Sequence, residues 1–231
     1  MHTRPAIVQP SDLTPMPYGR GHARNVADGI WEPLWGGQRA LVDVLVDEIR
    51  IRDEVGDELD GFDLLRAAIR EAVTAQELVL DGYLLPAPLR DTTGLEVIPG
   101  YESVMTPAEM GRQLLVGSAG QGRRAELEAD RSRQVRVTSE SPTAFVAIDL
   151  LWLDGEPLVN VPLAERKRLL DSVLLDGEVV RRTVMIRAPV EAWYAQWRAL
   201  GFREVAVKGA NSRYTPGTPN PEWATALIPK R

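Results

Sequence analysis

The run from Thr143 to Leu153, Thr-Ala-Phe-Val-Ala-Ile-Asp-Leu-Leu-Trp-Leu, is apolar almost throughout. Such a strand suits burial on both faces, so the fold has to cover it from two sides. The Asp154-Gly155 pair turns the chain. Pro162 to Leu175 (PLAERKRLLDSVLL) then reads as a strongly amphipathic helix. Ala40 to Ile51 alternates apolar and polar residues as a half-buried strand does, and Gly56-Asp57 suggests a turn. From Phe62 the spacing of Leu65, Ile69 and Val73 predicts a helix. Glu77 to Leu85 reads as a short strand interrupted by Asp81-Gly82 and ended by Pro86 and Pro88. Thr106-Pro107 with Glu109 has the residues of a helix start, and the charged run from Gly122 to Arg136 reads as a solvated helix. Residues 179–187 and 203–208 read as strands, and 190–200 as a helix. Strands and helices mix without a regular βαβ repeat, which predicts an α+β domain and not a doubly wound sheet. Residues 1–26, with prolines, glycines and scattered charges, read as an arm over the surface of a domain spanning 27–231.

Composition narrows the function classes. The sequence has 231 residues, enough to bury a substantial core. It has no apolar run of the roughly 18 residues that span a bilayer, and the polar, proline-rich N-terminus lacks a secretory apolar segment. There is no cysteine, hence neither a disulfide framework nor a thiolate nucleophile. The expected location is the cytoplasm. A formal net charge of −6 argues against a uniformly basic nucleic-acid surface, though it leaves room for a local basic groove. Lys167, Lys208 and Lys230 are the only lysines, so chemistry that needs a lysine has three places to look.

Four segments, in order, carry a resemblance. They are Glu32-Pro33-Leu34-Trp35-Gly36-Gly37-Gln38-Arg39; Leu80-Asp81-Gly82-Tyr83; Ile148-Asp149-Leu150-Leu151 running on to Pro162-Leu163-x-Glu165-Arg166; and Val205-Ala206-Val207-Lys208 with Ser212-x-Tyr214 and Trp223. Together they resemble the adenylation domain of ATP-dependent DNA ligases, especially the short bacterial repair type. The resemblance implies antiparallel sheets flanked by helices around a nucleotide groove. It also implies an oligonucleotide-binding domain after this one. Since the sequence ends at Arg231, that contribution is expected from a partner chain.

Members of that family transfer AMP from ATP to a lysine, then to a DNA 5′-phosphate, and then seal a nick. A neutral amine attacks the α-phosphorus, carboxylates hold Mg²⁺, and cations neutralise the phosphates. Set against that pattern, the nucleophile's position falls at Leu34, and leucine has no lone pair to offer. The acid two residues later falls at Gly36, the ribose-contacting glutamate at Tyr83 and the adenine-stacking aromatic at Ile148. The metal-binding glutamate falls at Arg203, with Glu204 available only if the register slips by one. The lysines after Trp223 fall at Thr225 and Leu227, leaving Lys230 as the nearby cation.

The resemblance leaves Glu32, Arg39, Asp81 and Lys208 as candidates for nucleotide binding. Each has a plainer reading: Glu32 capping the strand entry, Arg39 in a surface ion pair, Asp81-Gly82 a turn, Lys208 solvated. Asp149 needs a partner in its apolar strand, and a structural hydrogen bond is expected. Trp223 and Tyr214 are expected to pack, and His22 lacks the partners of a metal site. The reading favoured is a ligase-like protein without self-adenylation, binding DNA, a nucleotide or a repair partner. ATP and Mg²⁺ are implied by resemblance, although their ligands are largely missing. Two alternatives stand beside it: a displaced nucleophile, Lys208 or Lys230, or a purely structural subunit.

Overall fold

A computed structural model of the chain describes residues 9–87, 142–187 and 189–229. The helix start expected at Thr106-Pro107, the charged helix of 122–136 and Lys230 lie outside the described residues. The strands are β1 (Gly29–Pro33), β2 (Gln38–Val44), β3 (Ile49–Arg52), β4 (Leu78–Pro86), β5 (Thr143–Leu153), β6 (Glu156–Pro157), β7 (Val180–Arg182), β8 (Ile186–Arg187), β9 (Glu204–Gly209) and β10 (Trp223–Leu227). The helices are α1 (Asp63–Ala72), α2 (Leu163–Val173) and α3 (Glu191–Ala199).

Two sheets form. The larger runs β3-β2-β4-β5-β6, with β7 added parallel to β5; the smaller runs β10-β9-β1-β8. Every other pairing is antiparallel. The expected α+β architecture of antiparallel sheets with flanking helices is the one observed.

The apolar run of β5 sits where its composition requires. Ala144, Val146 and Ile148 point into a core shared with β9, β8 and α3, while Phe145 and Ala147 point into a core with α1 and α2. The alternation is that of a pleated strand covered on both faces. A third cluster joins Leu41, Val79 and Trp152 to Tyr214 and Trp223, and to Leu13 and Met16 of the N-terminal segment. That segment therefore does more than lie over the surface. Arg52, bidentate to Asp43 at 2.6 and 2.8 Å, also donates to the carbonyls of Leu13 and Pro10, which ties the segment down.

Three expectations are corrected. Ala40 to Ile51 is a hairpin, β2 and β3, and not one strand: Asp47 turns it, and Leu45 N–H donates to the Glu48 carbonyl. Residues 179–187 divide between β7 in the larger sheet and β8 in the smaller. Asp81-Gly82 is no turn. It lies inside β4, paired to β2 and β5, and a Cβ at Gly82 would stand 2.3 Å from the Val146 carbonyl oxygen and 2.4 Å from the Phe145 ring. Only glycine lets β4 and β5 approach so closely there. The register shifts beside it mark the irregularity.

Candidate functional site

Each charged candidate is placed by strand register. On β1 and β9, Glu32 faces Ala206 and Ile30 faces Lys208, so Glu32 and Lys208 are diagonal neighbours on one face of the sheet. Lys208 Nζ donates to Glu32 Oε2 at 2.7 Å. Trp223, directly opposite Lys208 on β10, lays its ring 4.3 Å from the ammonium and is itself held by Nε1 donating to Ser212 Oγ. The other carboxylate oxygen of Glu32 is in ion contact with Lys167 of α2. Glu32 and Lys208 are both essentially inaccessible to solvent. Lys208 is thus not a solvated lysine, and Glu32 lies within β1 and caps nothing.

A second assembly uses the β2–β4 register, which opposes Arg39 to Tyr83 and Leu41 to Asp81. Arg39 donates through Nε and Nη2 to both Asp81 oxygens at 2.5 Å, and through Nη1 to the Tyr83 hydroxyl at 2.9 Å. Tyr214 donates its hydroxyl to Asp81 at 2.7 Å and accepts from the Met16 amide at 2.8 Å. The Arg39–Asp81 pair is buried, against the surface pair that the sequence allowed. Burial works to strip Arg39 of its proton, and Asp81 outweighs it, raising the guanidinium well above its ordinary value. Burial pushes the Tyr18 hydroxyl up to about 12 and raises those of Tyr83 and Tyr214 further.

The third assembly answers the question raised by an acid in an apolar strand. Arg166 donates to both oxygens of Asp149 at 2.9 and 2.7 Å, with neither side chain exposed. Burial acts to raise the Asp149 carboxyl, but Arg166 prevails and holds it below the usual carboxylate range.

Around these pairs, three of the positions that the resemblance assigns to chemistry, Leu34, Tyr83 and Ile148, belong to one apolar cluster. Leu34, just after β1 and partly buried, lies against one cluster with Trp35, Tyr83, Ile148, Trp197, Phe202 and Val205. Trp35 meets Phe202 edge-on at 5.0 Å and donates its indole N–H to Thr183 Oγ1 at 2.9 Å. Gly36 follows in the open, at φ +64°. Glu204 opens β9 half-exposed, and its carbonyl accepts from the Leu34 amide. Among the described residues no three His, Asp or Glu side chains gather as a metal site, and His22 is exposed at the start of a 3₁₀ turn. No described helix is long and apolar enough to cross a membrane.

Arg166 and Lys167 are the two site residues that sequence reasoning passed over. The signal was present: the buried face of α2 is Leu163, Arg166, Lys167, Leu170 and Val173, so both cations stand in the apolar stripe at helical spacing. A charge there needs a buried partner, and each has one.

A family model described as the ATP dependent DNA ligase domain matches residues 102–225, more than half of the chain. A DNA ligase of Methanoculleus marisnigri is 41% identical over 78 residues, covering 34% of this chain and 14% of that protein. The multifunctional non-homologous end joining protein LigD of Mycolicibacterium smegmatis is 25% identical over 217 residues, covering 93% of this chain and 24% of its own length. The chain thus spans a quarter or less of these relatives. Among solved structures, the ligase domain of Mycobacterium tuberculosis LigD superposes with a TM-score of 0.60 at 22% identity, over 94% of this chain and 60% of that one. The bacteriophage T7 ATP-dependent DNA ligase, in complex with ATP, gives 0.51 at 13% identity, over 94% and 68%. With the family model extending over most of the chain, and with the same two-sheet fold in its solved neighbours, this protein belongs to the ATP-dependent DNA ligase domain family.

Proposed function

We propose that this chain is a ligase-type domain that does not adenylate itself and acts by binding in DNA repair or end joining. The observation that carries the reading is the packing of Leu34, Tyr83 and Ile148 into one apolar cluster with Trp35, Trp197 and Phe202. These are the positions that the resemblance gives to the nucleophile, the ribose contact and the adenine platform. A phosphoryl-transfer site needs an amine, a metal-holding acid and cations free to meet phosphate. Here the leucine offers no amine. Arg39 and Lys208 are engaged by Asp81 and Glu32, and reaching a phosphate would mean abandoning buried carboxylates. The same pairs give a reason for keeping the residues after the chemistry is lost, because they join β2 to β4 and β1 to β9.

A role in repair or end joining draws on the LigD relatives named above. DNA, a nucleotide or a repair protein is the partner class in view. Incubation with ATP labelled at the α-phosphate, Mg²⁺ or Mn²⁺ and nicked DNA tests the reading. The folded protein should take up no label and seal no nick; label on a lysine that passes to DNA would overturn it.

A further inference from the structure

In a chain of net charge −6 acids outnumber cations, and nearly every described arginine has an ion pair or a hydrogen bond from its guanidinium. Arg20, Arg24 and Arg213 are the exceptions among the described residues. All three are exposed, and no carboxylate or carbonyl engages any of them.

The fold brings these three to one region of the surface, where the N-terminal segment crosses the loop before β10. Tyr18 pairs in parallel with Asn220, Gly19 N–H donates to the Trp223 carbonyl at 2.8 Å, and the Asn220 amide donates to the Pro17 carbonyl at 3.3 Å. Glycine is needed at the crossing, because a Cβ on Gly19 would stand 2.3 Å from the Asn220 carbonyl oxygen. Arg20 follows the crossing directly, and Arg24 lies in the 3₁₀ turn Ala23–Asn25, which packs on β10. From the other side Asn220, itself buried, donates Nδ2 to the Arg213 carbonyl at 2.9 Å and accepts from the Glu222 amide through Oδ1 at 2.9 Å. One buried asparagine thus ties the two segments, and the arginines extend from a backbone already fixed.

A guanidinium is planar, always charged and weakly hydrated, and its fork of donors matches the oxygens of a phosphate. Such groups on an exposed face, lining neither of the cavities beside α2, suit an extended polyanion better than an enclosed small one. A protein partner would want apolar anchors at the centre of its contact. The exposed large apolar side chains, Val46, Val55, Leu64, Leu175 and Met185, belong to other segments. We propose that Arg20, Arg24 and Arg213 form a docking surface for the phosphate backbone of nucleic acid, held by charge and without sequence preference. The inference rests on the reading that the chain works by binding, and it commits that reading to one partner class and one face. Glu222, exposed next to Asn220, opposes the attraction.

A short labelled DNA duplex of mixed sequence is the probe, titrated with the full chain by fluorescence anisotropy at several salt concentrations. Three phosphate contacts predict a slope of log affinity against log salt of about −2.7, so a fourfold rise in salt should weaken binding about fortyfold. Each of Arg20→Gln, Arg24→Gln and Arg213→Gln should reduce the slope by about one, and a duplex of different sequence should bind alike. Arg50→Gln and Arg168→Gln remove the same charge from exposed pairs elsewhere, with Glu48 and Glu165, and should leave the slope unchanged. Glu222→Gln should tighten binding. Absence of saturable binding by folded wild-type protein overturns the proposal. So does a slope that the triple arginine variant keeps, or that the two control variants lower equally. Competition by poly-glutamate as effective as that by unlabelled duplex also overturns it, and points to an acidic protein instead. These failures leave the self-adenylation result untouched, and a labelled lysine would overturn the earlier reading whatever the duplex does.

Discussion

Three lysines are a small supply, and two of them converge on one glutamate. At the scale of the residue this makes the three side chains unequal. Removing Lys167 leaves Glu32 paired with Lys208, and one positive charge is relieved. Removing the glutamate charge leaves two ammonium groups in a buried layer with nothing opposite, the circumstance in which breaking a buried pair is most costly. Glu32→Gln is therefore expected to lower stability by about 3–5 kcal/mol, and Lys167→Met by less than about 1.5 kcal/mol, on a urea unfolding curve. Equal losses would show that the shared ion pair is not what anchors α2 to β1. The tyrosines give a second expectation at this scale. Four of the five, Tyr18, Tyr83, Tyr194 and Tyr214, have hydroxyls raised by burial. An unfolded tyrosine ionises near pH 10. Folded values above that mean that the native state holds more protons than the unfolded one as pH passes about 10, so stability is intact below that pH and falls as it rises. Absorbance at 295 nm should show most tyrosine ionisation arriving only with unfolding; a native titration centred near pH 10 for most of them would contradict the buried network.

The strands, considered as elements, show what could be read in advance and what could not. Thr143–Leu153 was legible because a strand covered on both faces has to be apolar on both, and β5 has those bounds. α1, α2 and α3 were legible from helical periodicity. β1 and β10 were not assigned, because Gly29–Pro33 and Trp223–Leu227 are short and lie beside turn-rich sequence. Asp81-Gly82 was misread for a related reason: the pair is turn chemistry locally, and only the neighbouring strand shows that the glycine serves close approach. Glu32, Arg39, Asp81 and Lys208 could be singled out from the sequence as candidates, but their partners could not, since cross-strand diagonals such as Glu32 with Lys208 depend on a register that pairs distant segments. Gly82→Ala puts this to use. The added methyl meets backbone, which cannot swing aside as a side chain can, so a loss of about 3 kcal/mol is expected in chemical denaturation. A variant as stable as wild type would mean that β4 and β5 are not held as closely as described.

At the scale of the whole molecule, the two sheets and their helices keep the ligase domain's architecture, and the interior between them is filled by side chains. Trp35, Trp197, Phe202, Tyr83 and Ile148 form one buried apolar cluster. Arg39 and Asp81, and Glu32 and Lys208, bind one another across strands. The buried pairs Arg39–Asp81 and Glu32–Lys208 stabilise the fold, and the proposed loss of self-adenylation is a separate question about its chemistry. The most direct measurement is the self-adenylation assay, with the purified protein shown to be folded, ATP labelled at the α-phosphate, Mg²⁺ or Mn²⁺, and a denaturing gel. The account predicts no labelled band. A labelled band that disappears when Lys167, Lys208 or Lys230 is replaced by alanine would contradict it and place the nucleophile on a lysine that the chain still has.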